Sequence, residues 1–195
     1  MSADAPRRLN LGCGRRAQPG WINLDSMALP GVDVVADLDR CADAPLPFEP
    51  DSIDEFLLSH VIEHLRHTLP LMQELHRIAR PGAALTIRVP YGGSDDAWED
   101  PTHLRPYFLN SFAYFSQPAY WRADYGYRGD WQPEQIALLI PAAQTEGLSA
   151  QDVMKKVLGE RNVVREMIAR LVAVKPIRPP QRELQQAPKI AITKV

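Results

Sequence analysis

Short apolar segments that each stop at a glycine, a proline or a polar residue are the feature that most constrains the fold of this 195-residue chain. Five of them come before residue 91: RRLNL before Gly12, WINL before Asp25, VDVVA before Asp37, IDEFLLS before His60, and ALTIRV before Pro90. Runs of this length, bounded by turn residues, indicate β-strands. WQPEQIALLI and KIAITKV have the same character further along the chain.

The hydrophobic period changes between residues 61 and 80, where apolar residues recur at spacings of three and four. This spacing predicts a helix that is broken near Pro70 and ended by Pro81 and Gly82. The resulting order of strand, turn, strand, helix and strand predicts the α/β class. We expect a Rossmann-like, doubly wound, mainly parallel sheet.

A second helix is predicted over residues 149–174. Ser149 and Asp152 are spaced as a capping box. They precede an apolar stripe of Val153, Val157, Val164, Ile168 and Leu171. Residues 142–188 therefore read as a helical insertion before the last strand. The insertion either covers the active site, forms a homodimer interface, or packs on its own sheet.

Length and composition favour one domain over residues 1–195. The 22 basic and 24 acidic residues give a formal net charge of -2. This charge predicts no general electrostatic attraction to nucleic acid or to an anionic membrane. The sequence has no signal-peptide core and no apolar stretch of membrane-spanning length. We expect a cytoplasmic protein without a membrane partner, in which Cys13 and Cys41 are reduced.

The segment LNLGCG places Gly12 and Gly14 directly after a strand, where glycine lets the backbone approach a ligand closely. A tight turn without a ligand is the alternative. Asp25 follows the next strand and is suited to bind ribose hydroxyls, unless it is only a surface acid. It lies 13 residues after Gly12, fewer than the roughly 20 of a dinucleotide fingerprint. The first crossover is therefore too short for a full helix, and a nicotinamide dehydrogenase fits poorly.

Taken together, LNLGCG, GWINLD, ADL, LPFEPDSIDEFLLSHVIEHL and RIARPGAALTIRVP resemble a class I S-adenosylmethionine-dependent methyltransferase of the broad group that shares HVLEHL. The resemblance covers residues 9–90. It implies S-adenosyl-L-methionine as the cofactor and methyl transfer by direct displacement. The short first crossover departs from the usual pattern, at the point where the methionine end of the cofactor would be covered.

The resemblance also implies which residues hold the cofactor. Gly12, Cys13 and Gly14 would line its methionine portion, and Asp25 would bind the ribose. Asp37 and Leu38 would flank the adenine, and Ser59 and His60, at the carboxyl end of the fourth strand, would lie beside the cofactor. For Asp37, a turn in which the side chain bonds its own backbone is the alternative.

The nonapeptide SHVIEHLRH contains H-x-x-E-H, a string known from one class of zinc peptidases. Such a site needs both histidines on one established helix. Here His60 is expected at the carboxyl end of the fourth strand, beside the cofactor, with Glu63 and His64 beginning the next helix. His64 and His67 are then capping or surface residues, and no metal is predicted.

Residues 91–131 are rich in aromatics, glycine and proline and show no sustained period, which is typical of a functional loop. We interpret this segment as an aromatic substrate or lid loop, with a set of core aromatics as the alternative. Within EDPTHLRPYF, His103 is the candidate general base and Asp100 its orienting residue. His60 is a further catalytic candidate, and the acceptor contacts are Tyr91, Arg105 and Tyr107. The alternative role of His103 is to tie the loop together through backbone hydrogen bonds.

The expected function is methyl transfer to a small molecule or a glycan precursor. A nucleic-acid or nucleotide methyltransferase ranks second, because Arg122 and Arg128 are interleaved with aromatics but no clearly basic groove is indicated. A non-catalytic nucleotide-binding module and a zinc hydrolase remain as further alternatives. The methyl acceptor is not encoded in any motif of the chain.

Overall fold

The computed structural model describes residues 5–195, and this part of the chain contains eight strands and three α-helices. The strands are β1 (Arg8–Leu11), β2 (Ile22–Asp25), β3 (Val34–Val35), β4 (Ile53–Ser59), β5 (Ala79–Pro90), β6 (Trp131–Ile140), β7 (Glu166–Ala173) and β8 (Lys189–Lys194). The helices are α1 (Thr68–Ile78), α2 (Asp96–Glu99) and α3 (Ala150–Gly159). None of these helices is long and apolar enough to span a membrane.

All eight strands form one sheet in the order β3-β2-β1-β4-β5-β7-β6-β8. The strands are parallel except β7, which runs antiparallel to both β5 and β6. The predicted α/β class and mainly parallel sheet are confirmed. Because β1, β2 and β4 are parallel neighbours, their carboxyl ends lie together at one edge, where open α/β sheets bind ligands. We refer to this edge as the rim.

The hydrophobic core lies on one face of the sheet. Alternate strand residues point into it, including Leu9 and Leu11 of β1, Phe56 and Leu58 of β4, and Ile87 of β5. Helix α1 packs into the same core through Leu71, Met72, Leu75 and Ile78, which are fully buried. Alternation of this kind is expected when only one face of a sheet is packed.

The opposite face is partly exposed over β4 to β8. It carries Leu57, Thr86, Ala137 and Ile168 at its centre and Arg170 nearby. Leu57, Thr86 and Arg170 are in register on β4, β5 and β7, and Ile168 is paired with Ala137 on β6, yet none of them is buried. A doubly wound sheet has helices on both faces. Of the two predicted helical layers, the described residues form only the one on the core face.

The connection from β1 to β2 folds over this second face at its β1–β2 end. Asn10 and Asn23 are paired residues of the two strands, and their amides are joined by a hydrogen bond of 2.9 Å. Asn23 also accepts from the backbone N–H of Gln18 and donates to the carbonyls of Gln18 and Trp21. Asn10 donates to the carbonyl of Arg16. Two strand amides therefore hold the connection where a crossover helix is too long to fit, which agrees with the predicted short crossover.

The predicted helix over residues 149–174 is wrong beyond residue 159. Ser149 does cap α3, since its hydroxyl accepts from the N–H of Asp152, but Glu166–Ala173 is strand β7 in the middle of the sheet. The apolar stripe is correspondingly divided. Val153 and Val157 are buried by the protein's own core, so α3 is not a free homodimer face at these positions, whereas Ile168 lies on the exposed face of the sheet.

The helix predicted over residues 61–80 is shorter than expected. Ile62–His64 is a turn of 3-10 helix, and α1 begins at Thr68 and ends at Ile78. Pro70 lies in its first turn, where proline is tolerated.

The aromatic segment after β5 is mainly structural. Tyr107, Phe112, Phe115, Tyr120 and Tyr127 are buried in the core. The rings of Tyr107 and Phe112 stack with centroids 5.3 Å apart. These side chains pack against the sheet rather than forming a lid, as the alternative interpretation of this segment proposed. Exposed rings of the segment include Trp98, Tyr114 and Tyr125.

Replacing Asn23 by alanine is expected to lower the free energy of unfolding by about 2–4 kcal/mol, because several buried polar groups of the β1–β2 connection lose their partner at once. Urea denaturation monitored by circular dichroism measures the change. Asn110→Ala is the matched control, since the exposed Asn110 side chain makes no capping bond. Equal stability of the two variants would contradict the role given to Asn23.

His76 makes stability depend on pH. Its Nε2 lies 3.0 Å from the carbonyl of Val174, and burial lowers its pKa below the ordinary value. The unfolded chain then binds the proton more tightly, so this contribution is complete above about pH 6.5 and is lost as the pH falls below that value. We expect the stability difference between wild type and His76→Gln to shrink on acidification from pH 7 to 5. His67→Gln, at an exposed histidine, is the control and should leave the wild-type slope unchanged.

Candidate functional site

The turn after β1 has a backbone that only glycine adopts readily. Gly12 and Gly14 have φ angles of +62° and +52°. A Cβ built on Gly12 would lie 2.6 Å from a methyl group of Val61, so this turn is packed against the first residues after β4. The loops that follow β1 and β4 therefore meet at the rim.

Asp25 lies at the end of β2 and faces this turn. Its Oδ2 accepts the backbone N–H of Gly14 at 2.8 Å, and its Oδ1 accepts that of Met27 at 3.0 Å. An ionised carboxylate has about four lone-pair positions, so each oxygen can accept a further bond. Asp25 is partly exposed, which leaves the remaining positions open to hydroxyl donors such as those of a ribose. Cys13, the residue between the two glycines, is buried, and its backbone N–H donates to the carbonyl of Leu24.

Asp37 and Leu38 follow β3 at the next position along the rim. The exposed Asp37 accepts the N–H of Asp39 at 3.0 Å, the local turn that was the alternative for this residue, while Leu38 is buried. Asp39 in turn accepts the backbone N–H groups of Arg66 and His67. The loop after β3 is thereby fixed to the segment that leads into α1.

Ser59 ends β4, and His60 has a φ angle of +56°, which is uncommon for a residue with a side chain. Its ring lies between two carboxylates, with Nδ1 3.4 Å from Glu63 and Nε2 3.2 Å from Glu166. The interaction with Glu63, which outweighs the effect of burial, raises the pKa of His60 above its ordinary value, and Glu166 adds to this. Sequence analysis correctly placed His60 at the rim but gave no sign of Glu166.

Glu166 at the start of β7 is held by Arg88 of β5 through two hydrogen bonds of 2.8 and 2.9 Å. Burial alone would raise the pKa of Glu166, but Arg88 and His60 lower it below the ordinary value. The same carboxylate therefore stays ionised between two basic groups. A chain of alternating charge, from Arg88 through Glu166 and His60 to Glu63, runs along the end of β4.

Glu63, His64 and His103 form a second group, which sequence analysis did not bring together. A carboxylate oxygen of Glu63 and one ring nitrogen from each histidine all lie within 4.8 Å of one another. The two rings are 4.7 Å apart, centroid to centroid, in an edge-on arrangement. The backbone N–H of Leu104 donates to the carbonyl of Glu63 at 2.8 Å, and this bond places the loop after β5 beside the turn after β4.

Comparison with known proteins shows that part of this chain is similar to one protein family. Residues 9–87 match the family model described as a methyltransferase domain. This part of the chain is therefore similar to a methyltransferase domain. The match spans β1 to β5 and therefore includes the rim. A comparison with curated proteins gave no match.

Solved structures share the fold at low sequence identity. A S-adenosylmethionine-dependent methyltransferase from Archaeoglobus fulgidus is 15% identical, with a TM-score of 0.61 over 87% of this chain and 86% of that one. Phosphoethanolamine N-methyltransferase 2 from Haemonchus contortus, solved with S-adenosyl-L-methionine, is 14% identical, with a TM-score of 0.55 over 88% of this chain and 49% of that one. The [4+2]-cyclase SpnF is also 14% identical, with a TM-score of 0.51 over 87% of this chain and 76% of that one. At these identities the likeness establishes the fold alone.

The predicted catalytic pair, His103 with Asp100, is not formed. His103 Nε2 and Asp100 are 3.8 Å apart, too far for a hydrogen bond. Asp100 instead accepts both the N–H and the hydroxyl of Thr102, at 2.8 and 2.6 Å. His103 Nδ1 lies 3.2 Å from the carbonyl of Ala97, which matches the loop-tying role that was its alternative. Asp100 is therefore not the orienting residue of His103.

The three residues predicted to contact a methyl acceptor, Tyr91, Arg105 and Tyr107, have structural interactions. Arg105 donates to the hydroxyl of Thr68 and to the carbonyl of Arg66, so its guanidinium braces the start of α1. Tyr107 is buried, its hydroxyl lies 3.4 Å from the carbonyl of Ile62, and burial raises its pKa well above the ordinary value. Tyr91 is likewise buried. The geometry of these side chains gives no support to acceptor binding by Arg105 or Tyr107.

Gly12→Ala is expected to destabilise the protein by about 2 kcal/mol or more. The left-handed backbone alone costs about 1–2 kcal/mol in a residue with a Cβ, and the contact with Val61 adds to it. Gly14→Ala is the matched comparison, because its Cβ would meet nothing within 4 Å; it should cost only the backbone term. Chemical denaturation of both variants measures the two values, and a smaller loss for Gly12→Ala than for Gly14→Ala would contradict the packing described here.

Proposed function

We propose that this methyltransferase binds S-adenosyl-L-methionine across the rim and transfers its methyl group to a small-molecule or sugar acceptor. The observation that carries the proposal is the position of Asp25. Its carboxylate is bonded to the Gly14 turn at one end of the rim and keeps acceptor positions for ribose hydroxyls. The methionine portion then lies along the Gly12–Gly14 turn, and the adenine lies towards Leu38.

Ser59 and His60 complete this cofactor site from the end of β4. The transferred methyl group belongs to a sulfonium, which already carries the positive charge needed for displacement. Correct alignment of the acceptor with the methyl carbon can supply about 7–11 kcal/mol. The alternating charges of Glu63, His60 and Glu166 provide polar groups beside the reacting centre.

A cleft of about 780 Å³ next to the rim supports a small acceptor. It is lined by residues from the loops after β3, β4 and β5, among them Asp39, His64 and Thr102. Its volume is in the range of small-molecule sites. Arg128, one of the two arginines that favoured a nucleic-acid acceptor, is instead paired with Asp124. Arg122 stacks on Trp121.

Calorimetric titration with S-adenosyl-L-methionine tests the cofactor assignment. Asp25→Asn is expected to weaken binding about 10- to 100-fold, because hydrogen bonds to a charged group contribute about 1.5–3 kcal/mol. Asp96→Asn is the control: Asp96 is exposed in α2, after β5, and its substitution should change the affinity much less. Wild-type affinity in Asp25→Asn would remove the carboxylate from the proposed ribose contact.

The acceptor class is tested separately, with a labelled methyl donor and a panel of small molecules, sugars and nucleic acids. Methylation of a small molecule or sugar supports the proposal, and methylation confined to nucleic acid contradicts it. Tight cofactor binding without transfer to any acceptor would indicate a non-catalytic binding module. His103→Ala in the same assay tests the predicted general base, which requires a loss of turnover that varies with pH.

A further inference from the structure

Glu63 is a buried acid whose carboxylate has no hydrogen-bond partner. Its side chain is 3% exposed, and within residues 5–195 neither carboxylate oxygen makes a hydrogen bond. The nearby ring of His60 is 3.4 Å away, without hydrogen-bond geometry, and is shared with Glu166. A buried carboxylate is costly unless it is paired or coordinates a metal ion, and the ring of His60, which approaches only Oε1 and is shared with Glu166, leaves Oε2 of Glu63 without a partner among the described residues.

The two histidines beside Glu63 have their ring nitrogens arranged as metal ligands. The single hydroxyl proton of Thr102 goes to Asp100, so at 2.9 Å from His64 Nδ1 this oxygen acts as the acceptor. His103 Nδ1 faces the carbonyl of Ala97, which can only accept. Both Nδ1 atoms therefore carry protons, and both Nε2 atoms keep a free lone pair.

Hydrogen bonds of this kind are what orients metal-bound histidines: the second ring nitrogen donates to a carbonyl, a carboxylate or a group linked to one. In a tetrahedral site, ligand atoms about 2.0–2.2 Å from a shared zinc ion lie about 3.3–3.6 Å apart. From separations of up to 4.8 Å, binding of the ion therefore draws the side chains about 1.2–1.5 Å closer together. Two imidazoles and one carboxylate suit zinc and neighbouring divalent transition metals better than magnesium or calcium.

We propose that Glu63, His64 and His103 bind one divalent transition-metal ion of the zinc type. The site differs from the zinc-peptidase arrangement suggested by H-x-x-E-H, because His60 is not a ligand and the second histidine comes from the loop after β5. Three protein ligands leave a coordination position for water or a substrate atom. The argument for this metal site does not use the proposed binding of S-adenosyl-L-methionine at the rim.

The first test is titration of tag-free protein, stripped with a chelator and then freed of it, with Zn²⁺ in a calorimeter and with Co²⁺ in a visible-absorption assay. One ion per chain is expected, with Co²⁺ absorption typical of nitrogen and oxygen ligands. His64→Ala and His103→Ala should each weaken binding by at least 100-fold. His67→Ala, three residues from His64 and exposed, is the control and should bind as wild type does.

Thr102→Val separates a metal site from a chance cluster. This variant removes none of the three ligands but removes the acceptor that orients His64, and we expect affinity to fall about 10- to 100-fold. Wild-type affinity in both Thr102→Val and His103→Ala would overturn the proposal. Absence of stoichiometric binding to the wild-type protein would overturn it as well.

The Glu63→Gln variant tests whether the buried carboxylate binds the metal ion, and its melting temperature shows whether the variant is folded. In the metal-free state this variant is expected to unfold cooperatively, as the wild type does, and its melting temperature is the reference for the effect of the metal ion. Zn²⁺ should raise the melting temperature of the wild type and not that of Glu63→Gln; an equal rise in both would contradict coordination by Glu63. Titration of the same proteins with S-adenosyl-L-methionine reports on the rim separately, so either proposal can fail alone.

Discussion

The hydrogen bond between Asn10 and Asn23 is the interaction on which the rim depends. A parallel pair of strands normally needs a crossover of a dozen or more residues, and here the connection lies between Leu11 and Ile22. The two amides satisfy backbone groups of that connection and fix its path over the sheet. The same path determines where Gly14 lies, and Gly14 in turn positions the Asp25 carboxylate. Two uncharged side chains inside the sheet therefore set the geometry of the proposed cofactor site.

Strands that bury only one face have a different residue pattern from strands that are covered on both faces. Parallel strands covered on both sides read as nearly continuous apolar runs, whereas β1 and β2 read L-N-L and I-N-L, and β5 alternates Leu85, Ile87 and Val89 with polar residues. The exposed face retains charged pairs such as Arg8 with Glu55. The burial that stabilises the sheet comes instead from α1 and from the aromatic segment after β5, which explains why so many of its rings are buried.

Sequence reasoning located the parts of the site that follow strand ends. Asp25 and His60 could be placed because a strand, once recognised, fixes where its last residue lies. Sequence reasoning failed for β7, because the apolar spacing from Val153 to Leu171 also fits a helix. The left-handed turn at Asn162 did not interrupt this spacing. The same reasoning could not find the group of Glu63, His64 and His103, which depends on the backbone bond from Leu104 to Glu63 across 40 residues of chain. Tertiary contacts of that kind leave no periodic signal.

The left-handed backbone of His60 connects the proposed cofactor site with the proposed metal site. Such a conformation costs about 1–3 kcal/mol in a residue with a side chain and persists where surrounding contacts enforce it. Here it directs the ring between Glu63 and Glu166, so that one imidazole bridges a carboxylate of the metal cluster and a carboxylate held by Arg88. A metal ion on Glu63 would reduce the negative charge that His60 faces from that side. The charge of the rim beside the cofactor and the occupancy of the cluster are for this reason coupled through a single residue.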